Sequence, residues 1–439
     1  MKVGTLHTPG DAAQTTACRV AVVGFGTVGQ SVARILCDET PSGLLLTHVY
    51  NRDVARKKVA WVPEDVRWTD RIEDVLAAEV DILVELICGL QPAEEWVRRA
   101  LLAGKSVVTA NKQLISQKGP ELFELARRQN QQIGFEASVA GGIPIVSGLQ
   151  EGLAGDRLFR ISGILNGTCN YILTRMEAGG LPFSAALNEA QDLGFAEADP
   201  TEDVDGLDAR AKLAILSCVG LQRHVHPSQI LCRSIRVIED IDFAYARRLG
   251  CTIRQVSRSE KGRTEQEEVF AAVQPALVPV ASPLARVQGS QNLVMTTGKY
   301  GGETVFSGHG AGGDPTAVAV VSDLIAIARG SRRADAFPAL GKGEDAADAP
   351  QVAGEFAAPH YVRFTVRDRP GIVAALAAVF SRYEINIDAV IQEPGSEKSR
   401  LPFVITLEEC SNSVLDSALQ EIRGFDFHVQ PPVSLPILS

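Results

Sequence analysis

The stretch Arg19-Val20-Ala21-Val22-Val23-Gly24-Phe25-Gly26-Thr27-Val28-Gly29 decides the fold. A short run this rich in Val reads as a strand buried on both faces, and the segment Ser31 to Leu36 after it has helical composition. Between them, G-x-G-x-x-G lets the backbone turn tightly, while unpaired N–H groups at a helix start attract a pyrophosphate. A lone glycine pattern is compatible with a purely structural turn. Between a strand and a helix, at the head of an alternating series, it marks a dinucleotide-binding site.

The series is there. Leu45 to Val49, Asp81 to Ile87, Ser106 to Thr109 and Gln132 to Phe135 are short apolar runs separated by helix-length stretches. An α/β fold with an N-terminal Rossmann-like parallel sheet is therefore expected. Residues 1–17 read as a disordered tail, 18–149 as the NAD(P)-binding domain and 150–330 as a less regular, mixed α+β unit with a helix over Leu207 to Val219 and a strand at Ala276 to Val280. Residues 331–354 thin to mostly Ala, Asp, Gly and Pro and read as a linker. The remainder, 355–439, opens on the alternating Tyr361-Val362-Arg363-Phe364-Thr365-Val366. A Pro370-Gly371 turn, an apolar helix to Phe380, strands near Ile385 and Phe403, a further helix and a strand Phe425 to Val429 give a ferredoxin-like βαββαβ order.

Composition narrows the function. With 439 residues, 45% hydrophobic and 22% charged, the chain suits a soluble protein of two or three domains, and no apolar run reaches the roughly 20 residues of a membrane span. The formal charge of -10 argues against nucleic acid, which wants a basic face. Eight cysteines without a CxxC pair indicate neither zinc nor a disulfide framework, and the first 17 residues lack the apolar core of a signal peptide, so a cytoplasmic protein with reduced thiols is expected.

Two further features carry chemistry. Glu197, Asp199, Glu202, Asp203, Asp205 and Asp208 precede Lys212. A helix starting near Asp205 would put Asp208 and Lys212 one turn apart on one face, where a carboxylate can hold an ammonium as an acid or base; an ordinary acidic helix start accounts for only some of these acids. Lys112 follows the Ser106 to Thr109 strand, at the carboxyl end where open α/β sheets bind ligands. At the end of the second strand, Arg52 arrives where an NAD-preferring fold usually has an acid, with Arg56, Lys57 and Lys58 behind it. That favours NADP(H) over NAD(H), although Asp53 leaves NAD(H) open.

Together these motifs resemble the homoserine dehydrogenase family. The resemblance rests on GFGTVG, Thr109-Ala110-Asn111-Lys112, Glu136-Ala137-Ser138-Val139-Ala140-Gly141-Gly142-Ile143-Pro144-Ile145, Gly163 to Leu173, Gly194 to Pro200, Asp208 to Lys212 and Gly310 to Thr316, in family order over about 19 to 330. Residues 355–439 resemble an ACT regulatory domain, through Asp368-Arg369-Pro370-Gly371 and Asn386, and the short N-terminal segment matches the monofunctional form. His309 and Cys88 depart from the family pattern close to expected cofactor contacts.

The resemblance implies interconversion of L-aspartate 4-semialdehyde and L-homoserine in threonine, methionine and isoleucine biosynthesis. Lys212 would transfer the proton and Lys112 would stand where cofactor and substrate meet. Glu197, Asp208 and Asp203 would bind substrate. Cofactor contacts would come from Gly24, Phe25, Gly26, Thr27, Val28 and Gly29, from Arg52 and Lys57, and from Thr109, Lys112 and Gly312. Main-chain carbonyls of Glu136, Val139, Gly141 and Ile143 would hold a monovalent cation, usually sodium. Residues 150–330 would also form a homodimer or homotetramer, and threonine is the expected effector. Rival readings are a nucleotide-binding amino-acid sensor without catalysis, and an aspartate-semialdehyde dehydrogenase, which needs an activated Cys beside a His.

Overall fold

The structure, a computed structural model, describes residues 17–38, 43–262, 269–331, 352–353, 355–393 and 397–438. The expected tail, apart from Ala17, lies outside them, as does most of the expected linker.

The strands β1 (Cys18–Val23), β2 (Leu44–Tyr50), β3 (Arg67–Thr69), β4 (Ile82–Glu85), β5 (Ser106–Thr109) and β6 (Ile133–Gly134) pair in parallel in the order β3-β2-β1-β4-β5-β6. All four residues of β4 and of β5 are buried, which is why these segments lack the alternation of a half-exposed strand. The expected strands Asp81 to Ile87 and Gln132 to Phe135 contract at both ends. β3 is absent from the sequence reading because Arg67-Trp68-Thr69 has one apolar residue and no pattern. The strand order reverses between β1 and β4, so a crevice opens beyond their carboxyl ends.

Helix Gly313–Ala328 returns to this first unit from late in the chain. Its Ala317, Val320 and Leu324 share a core with Val20, Val22 and Val32, and the hydroxyl of Ser31 donates to Asp314 (2.7 Å). The expected boundary at 149/150, which puts this helix in the 150–330 unit, thus separates it from the sheet it covers.

In the second unit, β7 (Leu158–Ile164), β8 (Leu231–Cys232), β9 (Cys251–Lys261), β10 (Val269–Pro279), β11 (Gln291–Gly298), β12 (Gly302–His309) and β13 (Val352–Ala353) form a seven-stranded sheet, ordered β12-β11-β7-β9-β10-β13 with β8 also on β10. Helix Leu207–Leu221 starts within two residues of the expected point; it packs against β7 and β9 and buries most of its side chains, Asp208 among them. Val352 and Ala353, placed by the sequence in the linker, pair with β10.

The third unit has the expected βαββαβ order: β14 (Ala357–Val366), helix Ile372–Arg382, β15 (Ile387–Gln392), β16 (Leu401–Ser411), helix Asn412–Ile422 and β17 (His428–Pro436), with sheet order β15-β16-β14-β17. The last strand begins only at His428, because Phe425 and Phe427 fold into the core beneath it. This unit is seated on the second one. Tyr361, Val404 and Leu435 share a core with Phe243 and Tyr245 of helix Asp240–Arg248, and the Asp242 carboxylate accepts from the Tyr361 hydroxyl (2.6 Å) and Arg363 Nε (2.7 Å).

Candidate active site

The two lysines singled out in the sequence meet on one carboxylate. Lys112 Nζ lies 2.9 Å from Asp208 Oδ1 and Lys212 Nζ 2.8 Å from Asp208 Oδ2. Helical spacing delivers Asp208 and Lys212, while Lys112 comes from the first turn of helix Lys112–Arg128, just past β5. Asn111 fixes that turn: its side chain accepts from Leu114 N (3.1 Å) as an N-cap and donates to the carbonyls of Ile87 (3.1 Å) and Gly89 (2.7 Å).

Asn166 completes the cluster. Its Nδ2 donates to Asp208 (2.9 Å) and Asp203 (2.6 Å), and its Oδ1 caps helix Gly167–Gly179 by accepting from Cys169 N (2.8 Å). Lys212 also donates to the Leu165 carbonyl (2.9 Å), which Asn292 Nδ2 engages as well (2.9 Å). Burial alone would push the Asp208 carboxyl up; the ammonium groups of Lys212 and Lys112, with their hydrogen bonds, outweigh it and hold the carboxyl well below the usual carboxylate range. Burial works against the charged form of Lys112, but Asp208 overrides it and the ammonium is held above its ordinary value. Asp203 is pushed up by burial, against its bond from Asn166 and with repulsion from Asp208. Sequence reasoning missed Asn166 and Asn292. The Asn166-Gly167-Thr168 start of a helix carried a cap signal for the first, and nothing local marked the second.

Glu197 is not brought into this cluster. It is exposed on the turn after Leu193, its main-chain carbonyl accepts from Gln191 (3.0 Å), and its carboxylate makes no hydrogen bond or ion pair among the described residues.

The glycine turn has the shape its pattern requires. Gly24 has φ +106°, and a Cβ there would sit 2.7 Å from the Leu86 carbonyl oxygen; a Cβ on Gly29 would sit 2.0 Å from that of Gly24. Gly26 and Thr27 are exposed at the start of helix Thr27–Asp38, Val28 is half-buried and Gly312 is exposed with φ +125°. Two side chains assigned to the cofactor point elsewhere. The Phe25 ring is wholly buried against Trp68 (4.8 Å between centroids) and Trp61, leaving only its main chain at the turn. The Thr109 hydroxyl donates to buried Glu85 (2.5 Å) and accepts from Asn111 N (3.0 Å), so it is committed to the protein. Arg52 is exposed and Lys57 half-buried, neither with an ion-pair partner among the described residues. Asp53 is engaged as an N-cap, accepting from Arg56 N (3.2 Å).

At the expected cation segment, the Glu136 carbonyl accepts from Val139 N (3.3 Å) and that of Ile143 from Ile145 N (2.7 Å), which leaves each a second lone pair. The Glu136 carboxylate is occupied by Val146 N (2.7 Å) and Ser147 N (2.9 Å). With carbonyl donors only, and no group of three or more His, Cys, Asp or Glu that could hold a metal among the described residues, the segment suits a monovalent cation better than a divalent one. Among the cysteines, Cys169 is buried and burial pushes its thiol well up, which removes it as a nucleophile.

Comparison with known proteins follows the same lines. Residues 24–136 match the family model for the NAD binding domain of homoserine dehydrogenase, residues 144–325 that for homoserine dehydrogenase, and residues 360–426 that for the ACT domain. The chain is 40% identical to the homoserine dehydrogenase of Mycobacterium tuberculosis over 93% of its own length and 94% of that protein's, and 35% identical to that of Bacillus subtilis over 93% and 96%. The crystal structure of a homoserine dehydrogenase from Thiobacillus denitrificans superposes with a TM-score of 0.88 at 31% identity, covering 97% of this chain and 99% of that one. A hyperthermophilic archaeal homoserine dehydrogenase in complex with NADPH gives a TM-score of 0.63 at 29% identity, over 72% of this chain and 99% of that one. Among the described residues, no helix is long and apolar enough to cross a membrane.

Proposed function

The chain belongs to the homoserine dehydrogenase family, and on that footing we propose that the Lys112, Asp208 and Lys212 cluster is its proton-transfer centre. It is a nicotinamide-dependent oxidoreductase that interconverts L-aspartate 4-semialdehyde and L-homoserine. The observation that carries the reading is the single carboxylate shared by two ammonium groups from separate units of the fold.

When bound, a nicotinamide cofactor would supply or accept the hydride at the substrate carbon. The side chains described above do the rest. Lys212 spends two of its three N–H donors on Asp208 and the Leu165 carbonyl, and the third serves the substrate oxygen. In the reducing direction that ammonium gives its proton to the developing alkoxide. Lys112, held charged by Asp208, stabilises the same oxygen electrostatically. Asp208 has both oxygens engaged, so its first task is to aim the lysines; the substrate ammonium falls to Asp203, and Glu197, which stands outside the cluster, takes part only if the turn after Leu193 closes on the substrate.

Lys212→Ala lowers turnover roughly 100- to 10,000-fold, the span of a lost acid-base group, and turnover within about twofold of wild type would reject the role. NADP(H) is the favoured cofactor: Asp53 is used as a cap while Arg52 and Lys57 have no ion-pair partner among the described residues, and a related archaeal enzyme is described in complex with NADPH. A lower Michaelis constant for NADH than for NADPH overturns that preference. Sodium is the proposed monovalent cation at Glu136, Val139, Gly141 and Ile143, checked by replacing it with tetramethylammonium. Threonine is the proposed effector of the ACT unit, within threonine, methionine and isoleucine biosynthesis, and a homodimer or homotetramer the proposed assembly. Unaltered activity and thermal stability at millimolar threonine remove the first, and a monomeric mass in solution removes the second.

A further inference from the structure

The carboxylate turn of the active site rests on a segment that the third unit grips. The short helix Thr201–Val204 carries Asp203, and Asp205 closes it three residues before Asp208. The Ser234 hydroxyl bonds Asp205 Oδ1 (2.6 Å) and the Val204 carbonyl (3.2 Å), and Arg236 Nε reaches the same Asp205 oxygen (3.2 Å). Ser234 is itself fixed, since its Oγ caps the turn Ile235–Val237 by accepting from Arg236 N (3.2 Å).

The other side of this segment belongs to the third unit. Arg233 donates to both Asp416 oxygens (3.0 and 3.1 Å) and to the Ser434 hydroxyl (3.2 Å). Arg363 holds the Val237 carbonyl (3.0 Å) as well as Asp242. One apolar cluster runs through the junction: Val204 of the carboxylate helix and Ile235 of the segment pack in the same core as Tyr361 and Leu435. The turn bearing Asp203 thus shares one packed core with the third unit, and close-packed cores transmit displacement.

We infer that Arg233 to Asp242 is a brace through which the third unit sets the position of the substrate carboxylates, with Ser234 as the positioning residue and Arg233 as the tether. The inference rests on the reading of Asp203 as a substrate ligand beside Asp208, which aims the two lysines. It makes the third unit a structural component of that site, whatever ligand the unit itself binds.

The test is steady-state kinetics on the full chain. Ser234→Ala raises the Michaelis constant for homoserine about threefold to tenfold, the scale of one hydrogen bond, with the cofactor's constant unchanged. Ser234→Thr, which keeps the hydroxyl, restores it. Arg233→Ala gives the same selective rise, and the double variant is no worse than the larger single effect, because both act on one element. Asp416→Asn, an exposed change on the third unit, reproduces the Arg233 effect should either alanine variant fold poorly. A homoserine constant within twofold of wild type in the Ser234 and Asp416 variants, or a cofactor constant rising in step with it, overturns the brace. Asp203→Asn separates the two ideas: if it leaves homoserine binding unchanged, the site reading fails; if it weakens binding while Ser234→Ala does not, the brace alone fails.

Discussion

Glu85 ends β4 with its side chain wholly buried, accepting from the Thr109 hydroxyl and from Ile87 N (2.8 Å). Burial pushes its carboxyl up to about 7, against those hydrogen bonds and one from Asn111. An unfolded Glu ionises near 4.3, so between about 4.3 and 7 the unfolded chain gives up a proton that the native one keeps. Native stability contributed by this group is thus full below the lower value and lost as pH rises through the upper one, about 4 kcal/mol in all. Glu85→Gln removes that slope, and urea titrations from pH 4.5 to 8 should show the variant gaining on wild type as pH rises; parallel curves would contradict this. The contrast with the lysines shows what a sequence discloses about residues. Asp208 and Lys212 are legible because a helix fixes their spacing, and Lys112 because strand ends face ligands. Glu85 looks like the polar end of an apolar run, and its partner Thr109 like a cofactor contact, because pairing across β4 and β5 is not a local property.

The glycine turn is the element whose geometry was most fully written in the sequence, and its three glycines serve different ends. A Cβ at Gly29 would collide with the backbone of Gly24, whereas one at Gly26 meets nothing within 4 Å. Gly29→Ala should therefore destabilise the free protein by about 1–3 kcal/mol, as overpacking does. Gly26→Ala should leave the free protein within about 0.5 kcal/mol and weaken cofactor binding, since its side chain would stand where a pyrophosphate approaches. Denaturant unfolding without ligand, alongside cofactor titration, separates the two, and equal loss of stability would refute the distinction. Other elements escaped the sequence for physical reasons. β3 is too short for periodicity, and helix Gly313–Ala328 is apolar on nearly every side, which announces burial without saying against which sheet.

Between units, β14 shows why a sequence reads less well at the largest scale. Its alternation suggests an apolar face toward its own helices and a Tyr361, Arg363, Thr365 face toward water. Val362, Phe364 and Val366 do fill the third unit's core, but Tyr361, Arg363 and Thr365 are buried too, the first two against helix Asp240–Arg248. The Arg363 and Asp242 side chains are 2% and 0% exposed, so the pair is a charge bridge inside the junction and not a surface contact. Such a bridge is costly to break from one side, because the abandoned charge has no water to turn to: about 3–5 kcal/mol is expected for Arg363→Leu. Neutralising both partners together, Arg363→Gln with Asp242→Asn, leaves no stranded charge and should recover much of that loss. The same comparison reports on cooperativity. Because one apolar cluster spans helix Asp240–Arg248, Tyr361, Val404 and Leu435, the second and third units should unfold in one transition in wild type, and the third should melt first in Arg363→Leu. A double variant no more stable than Arg363→Leu would mean that the junction is held by its apolar contacts alone, and the buried pair would then be a passenger in it.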